Sequence, residues 1–316
     1  MGTRADAEVN ARSREEPIPL TTEHRFPLGL APELPAIWEL YEEAKAEPWD
    51  PEEDSWVSTF DAGVYSAEAL AGAALTWSRR AWLEFTGLAE SEALVVRLCL
   101  EPGREVDAKF CLSARATEKA RSTDASRILA ALFERYHVDS PSSDLQELLD
   151  GDLIRRALHG AVDVDAYIIG HLCFQASVDL ALWEAIRDAA REPAVVDITD
   201  AILRDKRRQT TFGWSYLDVR NEHLSDEQRG AAATTLIGLL DNEELRGLRV
   251  TALLPPGAGR DQLNSAQMAT AAAGLGAVPP DDEIEVLRSS VADVRRRLSA
   301  LGIEFPRADH RDAGSF

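Results

Sequence analysis

The sequence predicts an all-α protein built on four long helices packed as a bundle, and three observations carry that expectation. Apolar residues recur at spacings of three and four through four stretches of about 25–30 residues, none of which contains an internal proline. Short proline-bearing breaks separate these stretches, at Glu101-Pro102-Gly103, around Pro141, and at Glu192-Pro193. No segment shows the period-two alternation of β-branched residues that marks a half-buried strand, and no internal repeat is present. Helices of this length cannot bury their apolar stripes singly, so they must pack lengthwise.

Taken in order, residues 1–30 read as a loose N-terminal arm, with several charges, Pro17 and Pro19, and no sustained periodicity. Ile37, Leu40, Tyr41 and Ala44 share one face of a helix over residues 35–45, which Trp49-Asp50-Pro51 ends. Ser66 is an N-cap with Glu68 close behind, and the first long helix runs from it to about Cys99. The second spans about 105–136. The third starts near Asp144, with a break expected at Gly151 or Asp163, and continues to Arg191; the fourth covers about 194–219. Shorter helices are expected near 226–240 and 282–301, separated by a long irregular connection over 255–280 that is rich in Gly, Ala and Pro. The organisation expected is therefore an arm (1–30), a helical bundle (31–242) and a C-terminal extension (243–316).

With 316 residues, 45% hydrophobic and 28% charged, the chain has the composition of a water-soluble globular protein with a sizeable core. Its 55 acidic residues against 34 Lys and Arg give a net charge of −21, which opposes binding to nucleic acid and to anionic membrane surfaces. Three cysteines without close spacing are neither a disulfide framework nor a zinc cluster. Residues 1–17 contain no apolar run of the signal-peptide type, and a reducing, cytoplasmic location is expected. The uncharged stretch 166–178 is shorter than the roughly 20 residues of a membrane span and is expected to be a core helix. Among the 34 cations only four are lysines, at positions 45, 109, 119 and 206.

A polar group on the inward face of a bundle helix is costly unless it is paired or ligated, so such groups mark where chemistry would reside. Glu90 lies mid-way along the first long helix. On the second, Cys111, Ala114, Glu118, Arg121, Ser122 and Ala125 form one face. His171, Gln175 and Asp179 share a face of the third, and Lys206 and Gln209 lie three apart on the fourth.

The segment Trp38-Glu39-Leu40-Tyr41-Glu42-Glu43-Ala44-Lys45 with Trp49 and Trp56, Val106-Asp107-Ala108-Lys109-Phe110 leading into Glu118, and Arg204-Asp205 with Phe212-Gly213 occur in an order and spacing that resembles the ferritin-like diiron carboxylate proteins. The likeness is to members related to ribonucleotide reductase small subunits and diiron oxygenases, and it covers about residues 36–240. It implies a ferritin-like four-helix bundle with additional N- and C-terminal helices. In that family two helices each supply a Glu and two a Glu-x-x-His, six ligands for two irons. Carried over by position, Glu90 and Glu118 keep two of the six. Arg121 replaces a histidine, Gln175 the third helix's Glu, and Lys206 and Gln209 the last pair. Two carboxylates against Arg121 and Lys206 sum to zero, as four carboxylates do against two divalent ions. The expectation is that side-chain cations occupy the place of iron, with no metal and no other cofactor bound.

Three functional readings follow. The first is a metal-independent enzyme acting on a small biosynthetic intermediate, as relatives in specialised metabolism imply. Glu90, Glu118, Arg121 and Lys206 would perform acid/base or electrostatic catalysis, supported by Gln175, Gln209, His171 and Cys111. The second is a non-catalytic scaffold or partner subunit in which the same charges form a structural salt-bridge network. The third is an oxygenase with a non-standard iron or manganese site, for which His171 and Asp179 are the substitute ligands. The partners expected are a small-molecule substrate and, for assembly, a second copy of the chain as a homodimer, with neither nucleic acid nor membrane.

Overall fold

The computed structural model describes residues 29–52, 60–101, 103–151, 158 and 162–316. Most of the expected N-terminal arm, together with Trp56, lies outside the described residues. The helices are α1 (Pro35–Ala46), α2 (Ala67–Leu100), α3 (Val106–Phe133), α4 (Ser143–Leu149), α5 (Val164–Ala189), α6 (Pro193–Arg220), α7 (Asp226–Asn242), α8 (Ala258–Ala273) and α9 (Pro280–Ala300). Local chemistry sets many of their ends. The Ser66 hydroxyl accepts the Ala69 N–H at 3.1 Å to start α2. Asp163 does the same for α5 through the Ala166 N–H at 2.8 Å, and Pro193 occupies the first turn of α6, where a missing N–H costs nothing. Ser225 and Gln228 close a reciprocal capping box on α7.

Helices α2, α3, α5 and α6 form the bundle, with α2 and α3 in the most extensive contact, and α1 lies across α3 and α6. One end of the core gathers Trp77, Leu129, Phe133, Trp183 and Ile202, and the other gathers Ile37, Leu98, Leu112, Tyr167 and Phe212. A third cluster joins Phe174 and Val178 of α5 to Leu236 of α7, Leu287 of α9 and the C-terminal Phe305 and Phe316. Helix α5 meets the length and composition of a membrane span, beyond its uncharged 13-residue centre, but 72% of its most apolar window is buried inside the fold.

Two features depart from the sequence expectation. Within 255–280, helix α8 replaces the irregular connection; Gly257 and Gly274 bound an alanine-rich segment of high helix propensity, and it packs on α2, where Gly72 lets the backbone of Ala266 approach closely. A two-residue antiparallel pairing of Asp309–His310 with Gly314–Ser315 adds a trace of strand. The third long helix begins at Val164, after the second of the two breaks expected, with α4 as a separate short helix.

Inside α5, residues Ile169–Gln175 form a π-helical segment. Wide turns of this kind displace the register of everything that follows and recur at functional sites. Helix α6 crosses this segment at Gly213, where any side chain would overlap the Leu172 carbonyl.

Candidate functional site

Each bundle helix sends one charged side chain to a common point: Glu84 from α2, Lys119 from α3, Asp179 from α5 and Lys206 from α6. The Lys206 ammonium donates to Glu84 Oε1 and to Asp179 Oδ2, both at 2.5 Å. Lys119 donates to Glu84 Oε2 at 3.0 Å, and its Nζ lies 3.5 Å from Asp179 Oδ2. Glu84, Lys119 and Lys206 are 3%, 6% and 1% exposed, so these three charges are held almost wholly out of water, while the Asp179 side chain is 16% exposed. Gly87, one turn beyond Glu84, leaves room for the Lys119 stem; a β-carbon there would sit 3.2 Å from Lys119 Cε.

Two carboxylates and two ammonium groups cancel, which matters because an uncompensated buried ion costs several kcal/mol. Burial pushes Glu84 and Asp179 upward, but the two adjacent lysines outweigh it and hold both carboxyls below their usual range. Lys206 is raised, because Asp179 and Glu84 outweigh its burial. Lys119 goes the other way. Burial, reinforced by the positive charge of Lys206, brings it down to about 8 despite the pull of Glu84.

A cavity of about 40 Å³ adjoins this quartet, room for one or a few waters. Its walls include Glu90, Arg115, His171, Gln175, Gln209, Glu243 and Arg249. Glu90 Oε1 stands 3.1 Å from His171 Nδ1, and the His171 ring packs 4.1 Å from that of Tyr167. Burial would raise Glu90, but His171 and Arg115 bring it down to about 2. The π-helical segment carries both His171 and Gln175. The Gln175 amide donates to Glu243 Oε2 at 2.8 Å and to Glu244 Oε1 at 2.9 Å, while Arg249 donates to Glu244 and lies 4.0 Å from Asp179 Oδ1.

The residues singled out in the sequence fall into two clusters rather than one. Lys206 pairs with Glu84 and Asp179, not with Glu90, whose partner is His171. Arg121 pairs with Asp205 at 3.3 Å and lies over Trp49, not with Glu118. Glu118 instead accepts from Arg208 at 2.9 Å and from Gln209 at 3.0 Å, and Arg208 also reaches Asp205 and Glu47. Burial and the Asp205 carboxylate push Glu118 upward. Cys111 borders a void of about 10 Å³ beside Glu118 and Arg208. Burial and the Glu118 charge take its thiol to about 12, so it packs as an apolar group rather than as a nucleophile. Gln175 supports Glu243 and Glu244 and Gln209 supports Glu118, so the two amides serve different clusters.

Glu84 and Lys119 were not among the sequence candidates. Lys119 directly follows Glu118, and Glu84 lies six residues, nearly two turns, before Glu90. The scarcity of lysine was the available signal for Lys119, and no comparable signal marked Glu84.

No family model matches the chain, and no curated protein matches it. Solved structures do. An R2-like ligand-binding oxidase with an aerobically reconstituted metal cofactor after photoconversion superposes with a TM-score of 0.60 at 14% identity, covering 83% of this chain and 92% of that one. A variant of the R2-like ligand-binding oxidase with an Fe/Fe cofactor gives 0.59, and one with an Mn/Fe cofactor gives 0.55, at the same identity and coverage. The chain has the ferritin-like fold. Two of those neighbours carry Fe/Fe or Mn/Fe cofactors, and the side chains at this chain's four-helix centre do not fit such a pair. Two of the four are lysines, a lysine must lose its proton to ligate, and Asp179 and Glu84 hold Lys206 in its charged form. Among the described residues, no three His, Cys, Asp or Glu side chains come together as a metal site.

Proposed function

We propose that this chain is a metal-independent ferritin-like enzyme that transfers protons on a small biosynthetic intermediate beside the Glu84–Lys119–Asp179–Lys206 quartet. The supporting observation is that four helices converge on a charge-neutral set in which one lysine is depressed and its neighbour is firmly charged. With a pKa of about 8, Lys119 has roughly a tenth of its population neutral at pH 7, enough to act as a general base. Glu84, bonded to both lysines, holds Lys119 in place. Lys206, Arg115 and Arg249 present positive charge where an anionic intermediate would develop. A proton leaving the substrate passes to Lys119 Nζ and returns from it to the product, so no external oxidant or reductant is required. The reaction classes that fit are isomerisation and cyclisation, in which the proton returns to the same molecule and no group is lost.

The small volume of the cavity favours a second reading, a non-catalytic relative whose ancestral centre is plugged by salt bridges. The double variant Glu84→Gln/Lys119→Met separates the two, because it removes one acid and one base together and leaves no excess buried charge. In a producing host lacking the native gene, the wild type should restore product. The double variant should not, although its melting temperature stays within a few degrees. Product formation by the folded double variant would overturn the enzymatic reading. Protein from iron- and manganese-supplemented cells should carry well under one ion per chain; one or two tightly held ions would overturn metal independence.

A further inference from the structure

A second, larger cavity opens on the outer side of the α2–α3 seam. Its volume is about 360 Å³, within the roughly 300–1,000 Å³ of small-molecule sites. Trp82, Phe85 and Ala89 of α2, Tyr136 and Val138 beyond α3, and Leu149 of α4 give it an apolar wall. The floor is fixed before anything binds, since Trp82 Nε1 donates to the His137 carbonyl at 3.0 Å. Phe85 and Val138 are 63% and 77% exposed, a pair of large apolar side chains left facing water at the same cavity. Asp139 and Asp150 also line it, and among its described lining residues there is no Lys, Arg or His.

This outer cavity and the quartet are neighbours. Thr86 lines both. Thr123, one turn along α3 from Lys119, lines the outer one and donates its hydroxyl to the Lys119 carbonyl at 2.8 Å. At Gly87, the next residue after Thr86, α2 has no side chain to cover the Lys119 ammonium. A molecule seated against Trp82 and Phe85 is thus separated from Lys119 by the seam between two threonines.

We infer that the outer cavity holds the body of the substrate, and that the substrate is a small apolar or aromatic molecule carrying a protonated amine. The amine is matched to Asp139 and Asp150, and the opposite end is directed between Thr86 and Thr123 toward Lys119. The assignment rests on the proton-transfer reading of the quartet for the direction in which the substrate points, but not for binding itself.

Three probes of one shape test it: tryptamine, its carboxylate counterpart indole-3-propionate, and neutral 3-ethylindole, each followed on the full chain by saturation-transfer NMR and by melting temperature. Tryptamine should bind and raise the melting temperature, with the carboxylate at least tenfold weaker. Ala89→Trp, which fills the cavity from a partly exposed position, should abolish binding. Asp139→Asn with Asp150→Asn should remove the preference for the amine. Equal binding of all three probes, or tryptamine binding that survives Ala89→Trp, would overturn the assignment. Glu84→Gln/Lys119→Met should leave tryptamine affinity within twofold while product formation is lost, so failure of the chemistry is distinguishable from failure of the cavity.

Discussion

Glu90 shows how an inward acid can be legible by position yet misread by partner. Its place along α2 is buried, but its neighbour is His171, and the lowered Glu90 carboxyl has a testable pH signature. Its carboxyl falls from the usual 4.5 to about 2, so the stability it contributes is fully present above about pH 4.5 and is lost as the pH drops toward 2. The gap between wild type and Glu90→Gln in urea unfolding should be on the order of 3 kcal/mol at pH 6 and should close across that window. A gap that does not change with pH would remove the pair from the account. Arg80 carries the opposite expectation. It is 4% exposed, stacks 4.3 Å from Trp77, and its three guanidinium nitrogens lack hydrogen-bond partners. Burial, with Arg79 beside it, lowers its pKa to about 9. Arg80→Met should therefore be neutral or stabilising, read as an unchanged or higher melting temperature.

Among the helices, what could be read from sequence was what propensity and capping determine locally. Ser66 as a cap, the uninterrupted α2 and α3, Pro193 at the start of α6, and α7 and α9 all follow from short-range rules. The π-helical turn in α5 does not, because it depends on α6 and α7 pressing against it, and a 3.6-residue period cannot reveal it. That turn is one reason the partners of His171, Gln175 and Asp179 escaped the sequence reading. The other lies on α2 and α3, where Glu84 and Glu90, or Glu118 and Lys119, fit the same wide inward face, and only packing chooses between them. Helix α8 was hidden by the Gly and Pro that flank it. The crossing at Gly213 gives a direct check on this packing. Gly213→Ala would press a methyl into the Leu172 carbonyl, which is backbone and cannot move aside cheaply, and should cost about 3 kcal/mol or more by denaturant unfolding. A loss under 0.5 kcal/mol would mean that α5 and α6 do not meet as described.

For the molecule as a whole, the surface and the interior obey different electrostatic rules. The net charge of −21 resides mainly at the surface, where salt screens repulsion, so raising NaCl from low to physiological strength should raise the melting temperature. The quartet is neutral and shielded, and its contribution should not move with salt. The sequence expectation set Glu90 and Glu118 against Arg121 and Lys206; the structure separates those four, and the two acids and two bases that meet are Glu84 and Asp179 with Lys119 and Lys206. With only four lysines in the chain, selective labelling of lysine Cε and Nζ yields four NMR signals, two of them from Lys45 and Lys109 outside the quartet. A pH titration of those signals reads the centre of the bundle directly. Lys119 should titrate near pH 8, while Lys206 should stay charged beyond pH 10.5. Coincident titration of all four near the ordinary lysine value of about 10.4 would contradict a paired, buried quartet.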